Sequence, residues 1–222
     1  MKARPVAASH YSFAEELANT ISHGIGAALS IVALVLMVVF ATRYGTVWHI
    51  VSVSIYGATL ILLYTASTLY HGVRNSSLKH LLQRIDHASI FLLIAGTYTP
   101  FALVSLHGPW GWSLLGVVWG IAVLGILLEL GTTRGRQKLS LALYLGMGWI
   151  VVIAVKPMLD NVETGGLVLL LLGGLSYTLG VIFYVRHTMA YHHAIWHLFV
   201  MLGSLLHFFS VFYYVIPAAA TV

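Results

Sequence analysis

YHHAIWHLFVMLGSLLHFF, Tyr191–Phe209, holds four histidines inside a run otherwise apolar enough to enter a membrane. Read as one membrane helix, it sets the character of the whole chain. Of the 222 residues 59% are hydrophobic and 8% charged, and the mean hydropathy is +0.93. A water-facing surface needs far more charge than this. The apolar runs are roughly 20 residues long, which at about 1.5 Å per residue matches a hydrocarbon core of roughly 30 Å. Breaking the chain at charged and turn-rich clusters predicts spans at 21–42, 48–70, 86–106, 112–130, 140–159, 166–185 and 195–216. The expectation is an all-α polytopic membrane protein of seven transmembrane helices, a single membrane domain over 1–222 in the cell (plasma or inner) membrane. No cleavage pattern precedes the first run, so it reads as a retained helix. YSFAEELANT, 11–20, reads either as a short helix on the membrane surface or as an ordinary solvated helix start.

Short loops rich in Lys and Arg stay cytoplasmic. With the N-terminus inside, Lys2, Arg4, Arg74, Lys79, Arg84, Arg134, Arg136, Lys138 and Arg186 fall on one side, and Arg43 and Lys156 on the other. The outer connection DNVE, 160–163, is acidic. The N-terminal segment 1–20 is therefore expected in the cytoplasm and the C-terminus outside. The same asymmetry accounts for the net charge of +5 without nucleic acid, whose binders gather base-stacking aromatics and basic residues on one folded surface.

The chain has no cysteine, so any metal falls to His, Asp or Glu. His71 closes the second helix, with Ser67 four residues earlier on the same face. Asp86 and His87 open the third helix, His193 and His197 the seventh, and Asn19 and His23 the first. Topology alone brings these positions to one membrane depth. Helices four to six carry ionisable residues only near their ends and read as scaffold, with Gly116 and Gly120 at the spacing that lets helices approach closely. The site is expected between helices one, two, three and seven, opening inward.

Two neutral imidazoles at i and i+4 reach one cation from one helix face, and His71 supplies a third nitrogen. Three His ligands leave a fourth tetrahedral position for water, whose pKa zinc lowers from about 15.7 towards ~7. Asp86 orients that water, takes its proton or serves as a fourth ligand, and Ser67 hydrogen-bonds the water or a substrate oxygen. A lone membrane histidine is more often a packing residue. His207, ten residues past His197 and about 15 Å deeper at helical rise, reads as helix-bridging. Trp48, Trp110, Trp112 and Tyr213 read as an interfacial belt. Diiron boxes and a haem pair lack the second set of histidines they need. Two His with Asp86 would also suit iron as a facial triad.

The segments EELANTISHGIGAALS (15–30), STLYH (67–71), RIDHASIFLLIAGTYTP (84–100) and HAIWHLFVMLGSLLHFF (193–209) resemble, in order and over essentially the whole chain, the hemolysin III family, the bacterial branch of the progestin and adipoQ receptor family. The resemblance implies seven helices with a cytoplasmic N-terminus and zinc held by three His. It assigns Ser67 and His71 to helix two, Asp86 to helix three, and His193 and His197 to helix seven. The more distant likeness to alkaline ceramidases implies zinc-dependent hydrolysis of a lipid amide or ester, with membrane lipids as partners and a role in lipid homeostasis. Two further readings stand beside it. One is a receptor or membrane-state sensor with structural zinc; the other is a cytolysin or channel, which a chain with no soluble form suits poorly. A shared fold does not establish activity.

Overall fold

The computed structural model describes residues 11–131 and 137–217. Lys2, Arg4, Arg134 and Arg136, which carry part of the orientation argument, lie outside the described residues, as does His10. The helices are α1 (Phe13–Tyr44), α2 (Val47–Gly72), α3 (Ser76–Pro100), α4 (Pro109–Leu130), α5 (Gln137–Gly148), α6 (Val155–Asn161), α7 (Thr164–Val185) and α8 (His192–Tyr214). A π-helical turn, Phe101–Ser105, extends α3, and a 3-10 turn, Ile150–Ala154, joins α5 to α6 into one span. Among the described residues, seven segments are thus long and apolar enough to cross a membrane. The chain is a multi-pass membrane protein.

Helix is the enforced choice, because hydrocarbon offers no partner to a backbone N–H or C=O and a helix satisfies both internally. Lipid is also why side chains such as Leu124, Leu127, Ile153, Leu171 and Leu198 stand exposed around the bundle. The most enclosed helices are α2 and α3. Tyr56, Leu60, Leu63 and Tyr64 of α2 and Phe91, Leu93 and Ala95 of α3 form the middle of the core, met by Met37, Val118, Met147, Val200 and Val211 from their neighbours.

The ends of several spans differ from the sequence reading, each for a local reason. Residues 11–20 are not a separate surface helix: α1 runs unbroken from Phe13 for 32 residues, about 48 Å at helical rise. Its start is a capping box, in which Ser12 Oγ accepts from the Glu15 N–H (3.3 Å) and Glu15 Oε2 accepts from the Ser12 N–H (2.8 Å). Similarly, α3 begins ten residues before the expected 86, where Asn75 Oδ1 accepts from the Leu78 N–H at 3.0 Å. The fifth span is broken. Tyr98 Oη donates to the Gly148 carbonyl (2.7 Å) and accepts from the Val151 N–H (3.0 Å), entering the ladder where the helix turns 3-10. Pro157 falls in the first turn of α6, where a missing N–H costs no intrahelical bond.

Helix-to-helix approach also differs. Gly116 and Gly120 face open space, with nothing within 4 Å of an added Cβ. Close packing falls instead on Gly173 and Gly180 of α7, against His207 and against Trp196 and Phe199 of α8, and on Gly203 of α8, against Tyr177. Between α2 and α3 the tight position is Gly96, where a Cβ would collide with the Thr59 side chain. Gly96→Ala is therefore expected to destabilise the protein by about 1–3 kcal/mol, whereas Gly120→Ala leaves stability unchanged or raises it by up to ~1 kcal/mol. Thermal unfolding in detergent measures both.

Candidate metal centre

At the end of the bundle where α1 begins, four helices present polar side chains to one another. His193 and His197 sit one turn apart at the start of α8, with ring centroids 4.6 Å apart. His71, in the last turn of α2, lies 5.0 Å from the His193 ring and 5.2 Å from that of His197. One ring nitrogen from each comes within 4.8 Å of the other two, and all three residues are buried. The structure thus brings together the three histidines that the sequence places at one depth.

Hydrogen bonds set the tautomers of two of them. His71 Nδ1 lies 2.7 Å from Glu16 Oε2. An ionised carboxylate only accepts, and the Asn19 amide nitrogen stands farther from the same Nδ1, at 3.4 Å, so we assign the proton to Nδ1 and the lone pair to Nε2. That Nε2 is buried and has no partner. Ser22 Oγ donates to the Asn19 carbonyl at 3.0 Å, which spends its one proton. It therefore accepts from His197 Nδ1, also at 3.0 Å. The lone pair of His197 is again on Nε2. His193 Nδ1 is buried without a partner.

Around these rings lies a tight polar shell. His23 stacks flat on His197, with centroids 3.4 Å apart and planes 9° from parallel, and meets the Tyr64 ring edge-on. Both of its nitrogens, and Asn19 Oδ1, are buried without partners. Asp86 of α3 is buried, with Ser67 of α2 beside it. Asp86 stands beside the three-nitrogen group rather than within it. His207 behaves as the sequence suggests: its Nε2 meets the Leu170 carbonyl at 3.1 Å and ties α8 to α7.

The shell closes from outside through the first turn of α1. The ring of Tyr11 lies 5.2 Å from that of His193, 5.6 Å from His192 and 6.1 Å from His71. Burial, with the Tyr184 phenol and the Glu16 carboxylate nearby, pushes the Tyr11 phenol well up, so it stays protonated at neutral pH. Glu15 Oε1 accepts from the Tyr191 N–H at 3.0 Å, joining the start of α1 to the start of α8. Tyr191 itself takes a left-handed conformation, φ 55°, to turn the chain into α8.

Buried polar atoms are nearly always hydrogen-bonded, yet here His71 Nε2 and His193 Nδ1 are buried without partners, in a group of three imidazoles whose nitrogens converge. That donor chemistry suits a transition-metal cation, with imidazole a ligand for zinc, copper, iron and nickel. The residues present therefore fit a metal ion.

Glu16, Ser22 and Tyr11 were not singled out from the sequence. The signal for Glu16 was there: Glu16, Asn19 and His23 follow an i, i+3, i+7 rhythm that puts them on one face of a helix. It is lost once residues 11–20 are separated from the span. Ser22 and Tyr11 carry no such signal, since their roles come from contacts across helices. If Tyr11 covers the cluster, Tyr11→Ala in metal-free protein raises several-fold the rate at which diethyl pyrocarbonate modifies His193 and His71. Peptide mass spectrometry reads this, and an unchanged rate would remove Tyr11 from that role.

Comparison with known proteins adds a lineage to this geometry. The family profile described as Haemolysin-III related matches residues 11–208. The chain is 45% identical over 206 residues to Hemolysin-3 of Bacillus cereus, covering 93% of this chain and 94% of that protein. It is 47% identical over 204 residues to the Hemolysin-3 homolog of Bacillus subtilis (strain 168), covering 92% and 96%. A more distant relative is the monocyte to macrophage differentiation factor of Homo sapiens, 31% identical over 173 residues, covering 75% and 71%.

Proposed function

Because this chain belongs to the haemolysin III family, we propose that it holds a zinc ion on His71, His193 and His197 and hydrolyses an amide or ester bond in a membrane lipid. The observation that carries the reading is the buried group of three imidazoles with nitrogens within 4.8 Å of one another. The basic residues at the same end of the bundle support a site that opens to the cytoplasm. Membrane lipids are the substrate class, since the spans surrounding the site present apolar side chains to the bilayer.

When bound, zinc supplies a Lewis acid that polarises a carbonyl and acidifies water. The chain's own residues do the rest. His71 offers Nε2 because its Nδ1–H donates to Glu16, and His197 offers Nε2 because its Nδ1–H donates to Ser22. Asp86 is the proton acceptor. Among the described residues, Glu16 is paired with His71 and Lys79, and Glu129 with His87 and Ser140, whereas Asp86 forms no ion pair. Ser67, on the helix that carries His71, is the neighbouring hydroxyl that orients the Asp86 carboxyl. Burial of the group excludes bulk water, which strengthens each of these interactions.

Metal content by mass spectrometry on detergent-purified protein tests the first half. About one zinc per chain is expected in the wild type and its loss in His71→Ala, His193→Ala and His197→Ala; a metal-free wild type purified without chelators would sink the proposal. The second half is tested on a panel of ceramides and phospholipids. Asp86→Asn is expected to retain zinc and lose turnover by about 10²–10⁴-fold, the usual contribution of a general base. Zinc retained with no turnover in the wild type, and with Asp86→Asn tolerated, would favour a receptor or sensor with structural zinc.

The name of the Bacillus cereus relative, Hemolysin-3, favours a second reading, lysis or conduction. A conducting path has no need of this metal. On that reading red-cell leakage caused by the protein is unchanged in His71→Ala; on the hydrolase reading it falls with the zinc.

A further inference from the structure

The nitrogen of His71 that faces the cluster is aimed by the one that faces away, and two charged residues from two other helices fix that second nitrogen. Glu16, in the first turn of α1, gives one carboxylate oxygen to His71 Nδ1 at 2.7 Å and the other to Lys79 Nζ at 3.0 Å. Lys79, in the first turn of α3, also donates to the Tyr70 carbonyl at 3.0 Å and the Val73 carbonyl at 3.3 Å. Its ammonium has three protons, and these three acceptors use them all. Tyr70 and Val73 flank His71 at the C-terminal end of α2, where carbonyls lack helical partners and a cation is favoured. Lys79 therefore anchors both the carboxylate and the backbone that bears the histidine.

Resting on the metal reading above, we propose that Glu16 and Lys79 are positioning residues for the metal, an outer shell that holds His71 as the Nδ1–H tautomer with Nε2 directed into the cluster. A metal-bound imidazole typically gives its other N–H to a carboxylate or carbonyl, which fixes ring orientation and raises ligand basicity. The Glu16 side chain is mostly buried and that of His71 fully so. With little water to replace the carboxylate, the ring would lose both its tautomeric preference and its aim. Glu15 is the natural contrast. It is next in the chain, yet it bonds the Ser12 and Tyr191 N–H groups rather than a cluster histidine.

The test uses the full chain in detergent, with zinc affinity from competition with a chromophoric chelator and the visible spectrum of the cobalt-substituted protein. Glu16→Gln is expected to weaken zinc binding by about 10–100-fold, the usual effect of losing such a partner, and to shift the cobalt bands. Lys79→Met should move both readouts the same way by less, because the carboxylate remains. Glu15→Gln should move neither. A purely structural salt bridge would instead lower the melting temperature of the metal-free protein and leave the cobalt spectrum of the folded fraction unshifted. Wild-type zinc affinity and spectrum in Glu16→Gln would overturn the proposal while leaving the three-histidine site standing. A wild type that binds neither metal would instead overturn the site itself.

Discussion

The polar end of this bundle depends on the hydrogen bond between His71 and Glu16. It joins the start of α1 to the end of α2 across 55 residues of sequence, decides which ring nitrogen carries a proton, and leaves the other lone pair pointing at two more histidines. Unpaired polar atoms are expensive in a bundle bathed in hydrocarbon. Their convergence at one place, with His71 Nε2, His193 Nδ1, both His23 nitrogens and Asn19 Oδ1 all buried and unpartnered, is difficult to reconcile with a packing role alone. Of the buried unpartnered atoms in the described residues, only His207 Nδ1 lies elsewhere.

The same constraint shapes the rest of the molecule. Hydroxyls inside the bundle turn back on their own helices, as Ser30 does to the Gly26 carbonyl and Thr97 to that of Leu93. Others bridge helices, as Tyr64 and Tyr177 do at Ser204. Where a helix breaks, a side chain repairs the loss, and Tyr98 does this for the fifth span. Irregular backbone at membrane depth is tolerated where protein supplies such partners. The mid-bundle contacts between α7 and α8 are made by glycines and rings, since lipid tails give apolar side chains no reason to prefer a neighbouring helix and close packing must serve instead.

Much of this could be read in advance because membrane-spanning sequence is strongly constrained. Hydropathy located all seven spans, and helix parity brought His71, Asp86, His193 and His197 to one level. The errors had a common form. α1 and α3 begin eight and ten residues ahead of their apolar windows, because an apolar window ends where charge begins, whereas a helix ends where its caps are. Glu16 lay in the excluded segment. Gly116 and Gly120 had the right spacing for a helix contact, but spacing does not say which face meets a neighbour, and theirs meets open space.

What the sequence determined alone was membrane residence, the number of spans among the described residues, and a chain without cysteine. These follow from composition, from a fixed rise per residue and from the thickness of a bilayer, none of which needs a partner. The tertiary structure decided which side chains touch. It placed Glu16 on His71, Ser22 on His197, Tyr11 over the cluster and Lys79 behind Glu16, and it put tight glycines at Gly96, Gly173, Gly180 and Gly203 rather than at Gly116 and Gly120. Each of these turns on the rotation of one helix against another, and that rotation is settled by packing among all the helices at once.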